Sequence, residues 1–209
     1  MDTKDKNVSQ NALPRGFSGK IALFFMNRGH RNIYENMNKA LVLKPDDDLL
    51  EVACGNGYFL RKYASHVNSV AGLDISELCI DMSIRNNRDR VKNGTAKFMH
   101  GDASKLPWED GIFSVVTSMG SFSMFPSSLD SLKEMYRVLR PGGRVVIGIE
   151  WNAEDGKDHS KEIEKYGYQI RSEDEVKTML QDAGFTEVAF TYYKGLMIPK
   201  GMIAMGIRP

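Results

Sequence analysis

The sequence predicts an α/β domain with a doubly wound, mostly parallel sheet. Two observations carry this prediction: short apolar runs alternate with helical patterns from residue 48 onward, and the central runs are apolar throughout. Strands that alternate with helices pair in parallel. Continuous apolar runs are typical of strands that are buried on both faces. Because ligands of such sheets bind outside the carboxyl ends of the strands, we expect the functional residues there.

Each predicted element follows from local sequence signals. Ser76 is a good N-cap for a helix over about 77–92, another helix follows Ser128 and continues to Pro141, and Ser172 with Glu175 forms a capping-box pattern. Seven runs have strand character, at residues 49–53, 70–75, 97–100, 112–119, 145–149, 187–193 and 202–207.

Composition limits the class of protein. The 209 residues include 28 Lys+Arg and 27 Asp+Glu, so the net charge is +1, which argues against nucleic acid as the partner. Two cysteines, Cys54 and Cys79, form no disulfide framework and fit a reducing compartment. No apolar run approaches the roughly 20 residues that span a bilayer. The polar N-terminus lacks the apolar stretch of a signal peptide. We therefore expect a cytoplasmic protein without stable membrane association, whose oligomeric state the sequence leaves open.

Glycines and carboxylates follow three successive predicted strands. Gly55 and Gly57 form a turn that lets a ligand approach the backbone, but Leu60 stands where a dinucleotide fingerprint needs a third glycine. Asp74 is placed to accept hydrogen bonds from the hydroxyl groups of a ribose, or else to cap the next helix. Asp102 is placed to accept a hydrogen bond from the exocyclic amine of adenine. Together they indicate a pocket for an adenosine without a phosphate clamp, which disfavours a nicotinamide-dependent oxidoreductase.

Four segments resemble class I S-adenosylmethionine-dependent methyltransferases of the type 11 kind. They are LLEVACGNGYFLRKY, AGLDIS, FMHGDASKLPWEDGIFSVVTS and LKEMYRVLRPGGRVVIG, in the order of that family, and the resemblance covers residues 48–185. The stretch FMNRGHR at 25–31 is similar to ubiquinone/menaquinone-type C-methyltransferases. The resemblance implies a seven-stranded Rossmann-like sheet with its last strand antiparallel and lid helices at the N-terminus.

The resemblance also implies a donor-binding role for one set of positions. S-adenosyl-L-methionine would be bound by Glu51, Ala53, Gly55, Asn56, Gly57, Asp74, Ile75, Gly101, Asp102, Ala103, Ser118 and Met119. Ala53 departs from the family pattern, in which glycine is usual. Ser114, where the family often has aspartate, concerns the strand rather than the donor.

The implied reaction is in-line transfer of a methyl group to a small-molecule acceptor, with S-adenosyl-L-homocysteine as the product. His30 is the candidate base or substrate contact, since its pKa class suits proton transfer at neutral pH. Tyr34, Tyr166 and Tyr168 are weaker candidates. Neither a base-methylation motif nor a cysteine follows the fourth strand, and no acidic cluster predicts a metal site. A non-catalytic donor-binding module remains the alternative.

The domain organisation follows from these assignments. Residues 1–16 read as a flexible tail, and 17–209 as one methyltransferase domain. Within it we expect lid helices at 17–44, a donor-binding core at 48–150, a substrate-side insertion at 151–171, and a C-terminal helix with two strands at 172–209. His159, in the polar part of the insertion, is expected to be exposed.

Overall fold

The computed structural model describes Gly16, residues 30–195 and residues 198–209. The strands of this part are β1 Asp48–Val52, β2 Ser69–Asp74, β3 Ala96–His100, β4 Phe113–Met119, β5 Leu139–Ile149, β6 Thr186–Tyr193 and β7 Gly201–Ile207. Its α-helices are α1 Arg31–Leu41, α2 Tyr58–Tyr63, α3 Glu77–Asn86, α4 Arg88–Lys92, α5 Ser128–Val138, α6 Ser160–Tyr166 and α7 Glu173–Asp182.

The strands form a seven-stranded sheet in the order β3-β2-β1-β4-β5-β7-β6. The pairs from β3 to β5 are parallel, whereas β7 runs antiparallel to both β5 and β6. The predicted fold class is therefore confirmed, including the antiparallel last strand. The order of the strands reverses between β1 and β4, so the carboxyl ends of these two strands mark the expected ligand site.

The core lies on both faces of the sheet, as the apolar runs predict. Leu50 and Val52 of β1 belong to one buried cluster and Leu49 to the other, because successive side chains of a strand point to opposite faces. The aliphatic side chains of β4 and β5 divide in the same way. This burial holds the central strands rigidly, and with them the loops at their carboxyl ends.

Helix α1 packs directly on the sheet. Its apolar stripe places Ile33, Met37 and Leu41 in the core, each fully buried. The helix approaches β5 at Gly148, where a Cβ atom would lie 2.8 Å from Cδ1 of Ile33 and 2.9 Å from Sδ of Met37. This part of the predicted lid is thus a packing element, while residues 17–29 of the predicted lid helices and the tail before Gly16 lie outside the described residues.

A buried polar network fastens α1 to the sheet. Asp47 precedes β1 and accepts hydrogen bonds from the Arg144 guanidinium at 2.7 and 3.3 Å and from the Ser114 hydroxyl at 2.7 Å. Arg144 also donates to the carbonyl groups of Leu41 and Val42 at the end of α1. Ser114 therefore has a strand-holding role, as expected.

Two local expectations change in the structure, and a third is confirmed. The helix predicted over 77–92 is interrupted at Asn87, which separates α3 from α4. The helix after Ser128 ends at Val138, and the chain is already extended through Pro141 in β5. The capping box of α7 is confirmed, with Ser172 and Glu175 each accepting the other's backbone N–H. None of the helices in the described part of the chain is long and apolar enough to cross a membrane.

Candidate functional site

The turn after β1 has a backbone that few residues adopt. Ala53, Gly55 and Gly57 have φ angles of 60°, 55° and 68°, in the left-handed region. A Cβ atom at Gly57 would lie 2.7 Å from Nδ2 of Asn87, so only glycine fits. Asn56 is buried, and its carbonyl group accepts a hydrogen bond from Asn86 at 2.9 Å. The turn is thereby fixed to the α3–α4 junction and presents its backbone at the carboxyl end of β1.

Asp74 joins the turn to the end of β2. Its Oδ2 accepts a hydrogen bond from the Gly55 N–H at 2.8 Å, and its Oδ1 accepts one from the Ser76 N–H at 2.9 Å. Burial raises the pKa of Asp74, against the lowering effect of these two hydrogen bonds. The carboxylate therefore organises the turn, and it also accepts a hydrogen bond from the Cys79 thiol. A carboxylate offers about four acceptor positions, so Asp74 keeps acceptor capacity for a further donor.

Glu51 is a buried carboxylate without a matching donor. Its residue is 3% exposed, and Oε2 has no hydrogen-bond partner among the described residues. Burial, and then the negative charge of Asp74, raise the pKa of Glu51 well above the ordinary value. A buried, unpartnered acid is costly unless a ligand supplies the missing hydrogen bond. The side chain is thus suited to a cationic or N–H group of a bound molecule.

The ends of β3 and β4 complete the group of predicted positions. The Gly101 N–H donates to the Asp74 carbonyl group at 3.0 Å, and Asp102 accepts hydrogen bonds from the backbone and hydroxyl of Ser104. Ile75 is 55% exposed, an unusual value for a large apolar side chain beside a buried turn. The predicted residues Ala103, Ser118 and Met119 lie at the same edge of the sheet.

Ser118 and Met119 are consecutive residues of β4, so their side chains point to opposite faces of the sheet. Both are buried, and the Ser118 hydroxyl has no hydrogen-bond partner among the described residues. The two side chains cannot both face one atom of a ligand. Since Val116, two residues before Ser118, packs in the opposite cluster from Met119, only Met119 shares the face of Glu51 and α1.

His30 stands beside a residue that the sequence analysis did not single out. Its Nε2 lies 3.6 Å from Oε2 of Glu150, the residue that directly follows β5. Tyr193, at the end of β6, has a buried hydroxyl group, and the charge of Glu150 contributes to its raised pKa. The sequence could have indicated Glu150 as a site residue, because it is a carboxylate at the carboxyl end of a predicted strand.

The insertion after β5 contains an aromatic stack. The Trp151 ring lies 5.7 Å from His159 and 5.4 Å from Tyr168, and Tyr166 lies 5.5 Å from Tyr168. His159 is only 8% exposed, and its Nε2 is 2.9 Å from a carboxylate oxygen of Asp155. The expectation that His159 is exposed is therefore wrong, because the surrounding rings bury it. No group of three or more His, Cys, Asp or Glu residues in the described ranges could hold a metal ion.

Comparison with known proteins agrees with this architecture. The family model of the methyltransferase domain matches residues 50–147. The ubiquinone/menaquinone biosynthesis C-methyltransferase of Ectopseudomonas mendocina (strain ymp) is 28% identical over 198 residues, which cover 80% of this chain and 75% of that protein. These findings identify the chain as an S-adenosylmethionine-dependent methyltransferase.

Solved structures show the same fold in other methyltransferases. A chain of the complex between the Haloferax volcanii Trm112 methyltransferase activator and a methyltransferase is 20% identical, with a TM-score of 0.80 over 92% of this chain and 95% of that one. Phosphoethanolamine N-methyltransferase 2 of Haemonchus contortus, in complex with S-adenosyl-L-methionine, is 15% identical, with a TM-score of 0.71 over 83% of this chain and 52% of that one.

The geometry of this methyltransferase fits its donor, S-adenosyl-L-methionine. The unpartnered Oε2 of Glu51 matches the amino group of the methionine part, and the remaining acceptor capacity of Asp74 suits a ribose hydroxyl. The exposed Ile75 offers an apolar surface to the adenine ring.

Replacing Asp74 with alanine should weaken binding of S-adenosyl-L-homocysteine by about 1–3 kcal/mol, because ribose hydroxyls would be left unpaired. Calorimetry should be repeated with the 2′-deoxy form of the same ligand. Wild type should prefer the complete ribose, whereas Asp74→Ala should show a much smaller preference. An equal loss for both ligands would mean that Asp74 acts only through the Gly55 turn.

Replacing Ala53 with glycine should stabilise the methyltransferase by about 1 kcal/mol, because a side chain in the left-handed region is strained. The melting temperature should rise by about 2–4 °C. Ala153 is an exposed alanine outside the positive-φ residues, so Ala153→Gly is the matched control and should give no gain. Equal effects of both variants would argue against backbone strain at Ala53.

Proposed function

We propose that the enzyme transfers a methyl group from S-adenosyl-L-methionine to a small aromatic molecule that carries a hydroxyl group. The observation that carries this proposal is the position of Tyr34, whose pKa is raised by burial and then by the charges of both Glu51 and Glu150. Tyr34 thus lies within electrostatic reach of the donor-side acid Glu51 and of Glu150, a second acid at the end of β5. The two acids mark a donor side and an acceptor side of one site.

Aromatic rings support this class of acceptor. The Tyr34 ring lies 5.7 Å from Tyr58, 5.9 Å from Phe59 and 6.0 Å from His30. A flat aromatic acceptor gains favourable contacts with such rings. The name of the Ectopseudomonas relative, a C-methyltransferase of ubiquinone/menaquinone biosynthesis, points to a quinol ring and to a carbon atom as the first acceptor to test.

The donor supplies a methyl group on a sulfonium, which leaves as a neutral thioether, so correct positioning contributes much of the rate. The chain's own contribution is to hold the donor through Glu51 and Asp74 and to orient the acceptor between them and Glu150. Helix α1 covers this face of the sheet and limits the access of water.

The test is transfer of labelled methyl from the donor to a naphthoquinol with free ring carbons, kept reduced and followed by mass spectrometry. We expect a product heavier by one methylene unit. The matched control is the naphthoquinol with both ring carbons already methylated, which should remain unchanged. Transfer to that control would show methylation of oxygen instead. Donor binding without transfer to either quinol or to a metabolite extract would favour a non-catalytic donor-binding module.

The same proposal covers the organisation and location of the enzyme. We infer one methyltransferase domain over 17–209 with a tail at 1–16, and a substrate-side role for the insertion at 151–171, whose aromatic stack includes Trp151. Free, buried Cys54 and Cys79 support a cytoplasmic location. The +1 net charge supports a small-molecule rather than a nucleic-acid acceptor.

A further inference from the structure

Glu150 is held in a confined place at the site. It directly follows β5, and it lies against Gly120, the residue after β4. A Cβ atom at Gly120 would lie 3.2 Å from Cδ and 3.3 Å from Oε2 of Glu150. The side chain is only 14% exposed, and Oε1 is buried without a hydrogen-bond partner among the described residues. Packing alone does not explain a carboxylate in this position, because its burial costs free energy.

Tyr193 is a second unpartnered polar group next to Glu150. The residue is 5% exposed, and its hydroxyl group is buried without a partner in the described part of the chain. Its ring lies across Gly201 of β7, where any Cβ atom would clash with it. Burial, and then the negative charge of Glu150, raise the pKa of the hydroxyl. A donor whose ionisation is disfavoured thus lies within electrostatic reach of an acceptor, and each has an open hydrogen-bonding position.

His30 is the more exposed member of the group. Its side chain is 25% exposed, compared with 14% for Glu150, and the two are 3.6 Å apart at Nε2 and Oε2. Among the residues that the structure describes, the titratable groups around Glu150 are His30, before α1, Tyr34 of α1 and Tyr193 of β6. A structural ion pair with His30 would engage only Oε2. It leaves Oε1 unexplained.

We propose that Glu150 accepts the proton of the aromatic hydroxyl acceptor through Oε1, while the Tyr193 hydroxyl donates to the oxygen of that acceptor. His30 is a positioning residue that holds Oε2 and stabilises the carboxylate. This assignment rests on the proposed function. It adds the groups that select an acceptor with a hydroxyl group.

The step balances in atoms and charge. A bond forms between the nucleophilic atom of the acceptor and the methyl carbon, and the bond from sulfur to that carbon breaks with its electron pair kept by sulfur. The hydroxyl proton of the acceptor passes to Oε1 of Glu150. When the nucleophilic atom is a ring carbon, the proton on that carbon afterwards moves to the acceptor oxygen, which restores the aromatic ring and its hydroxyl group. The sulfonium charge and the carboxylate charge are both lost, which leaves a neutral thioether and a protonated Glu150. The proton later leaves to solvent on the side of His30.

The first test measures binding of 1-naphthol in the presence of S-adenosyl-L-homocysteine, where no transfer occurs. Wild type should bind 1-naphthol at least about tenfold more tightly than 1-methoxynaphthalene, which has no proton to donate to the carboxylate. Glu150→Met, of similar length but without an acceptor oxygen, should remove this preference. Affinity for S-adenosyl-L-homocysteine should not change, which shows that the variant is folded. An absent preference in wild type, or an unchanged one in Glu150→Met, overturns the proposal.

The second test is the pH profile of methyl transfer. Burial raises the pKa of Glu150 against the opposing charge of His30, so the wild-type rate should rise with pH in a range above the ordinary glutamate value. Glu150→Gln should lower kcat by about 100-fold or more and lose this rise. His30→Asn should shift the rise to higher pH, because the nearby positive charge is removed.

Glu109 is exposed, and Glu109→Gln is the matched control with an unchanged profile. A wild-type rate and profile in Glu150→Gln would overturn the role of Glu150 while leaving the proposed function intact. If wild type binds the donor but methylates no aromatic hydroxyl compound, the proposed function fails, and the 1-naphthol preference still decides whether Glu150 faces the acceptor.

Discussion

Asp47→Ala should lower the free energy of unfolding by about 3 kcal/mol. Removing one partner of a buried ion pair leaves the other charge without compensation, which typically costs several kcal/mol. Asp47 is 3% exposed, and the side chain of its partner Arg144 is 23% exposed, which reduces the expected cost. The end of α1 should loosen as well, since Arg144 also holds the carbonyl groups of Leu41 and Val42.

Thermal or denaturant unfolding measures this loss, with Asp46→Ala as the matched control. Asp46 is the exposed neighbour of Asp47, so its variant should change stability by less than about 0.5 kcal/mol. Burial alone would raise the pKa of Asp47, but hydrogen bonds from Arg144, the Lys44 N–H and Ser114 outweigh it, and the pKa lies below the ordinary value.

A depressed pKa in the folded state contributes stability above the pKa of the unfolded chain, and this contribution is lost as the pH falls. The gap between wild type and Asp47→Ala should therefore be constant at neutral pH and narrow below about pH 4. A stability difference that stays constant as the pH falls would argue against an ionised Asp47 in the folded protein.

Glu51→Gln should change stability and donor binding in opposite directions. Glu51 is buried and unpartnered in the free protein, which disfavours its ionised form, so the neutral amide should stabilise that protein by about 1 kcal/mol. The same change removes the charge that faces the donor, so affinity for S-adenosyl-L-methionine should fall about 30-fold, which corresponds to about 2 kcal/mol.

The gain in stability should depend on pH. The folded-state pKa of Glu51 is raised, so ionisation destabilises the protein as the pH rises from the ordinary glutamate value through the raised one. Glu51→Gln should therefore match wild type in acid and exceed it at neutral pH. Calorimetry and melting curves measure both effects, with the exposed Glu109→Gln as control. A variant that loses stability as well as affinity would indicate a structural role for Glu51.

The sequence predicts the architecture well because its signals are local. Strand ends are marked by glycines and carboxylates, and the capping box of α7 specifies its own hydrogen bonds. The end of α5 is harder to predict from the sequence. Pro141 excludes a helix at its own position, but no residue indicates that the chain is already extended at Leu139. The burial of His159 could not be predicted, because its immediate sequence neighbours are polar. The rings that bury it belong to Trp151 and Tyr168, which lie on either side of it further along the chain.

The acceptor side of the site is less predictable for a topological reason. Glu150 and Tyr193 are distant in the sequence. The assembled sheet brings them into the same region, because β7 lies between β5 and β6 and pairs Gly201 with Tyr193 and Met202 with Ile149, the residue before Glu150. The position of β7 between those strands is a feature of the assembled sheet, and no local pattern encodes it. The donor side, by contrast, uses consecutive strands in chain order.

The position of β7 also determines when the sheet can be completed during synthesis of the chain. β5 is synthesised long before its partner β7, and until β7 arrives the apolar residues Val145, Val146 and Ile147 border an open strand edge. β6 emerges earlier but is mostly exposed along its length, so it covers that edge poorly. Open apolar edges pair with other chains. The interval between the synthesis of β5 and that of β7 is therefore when the nascent protein is most prone to aggregate.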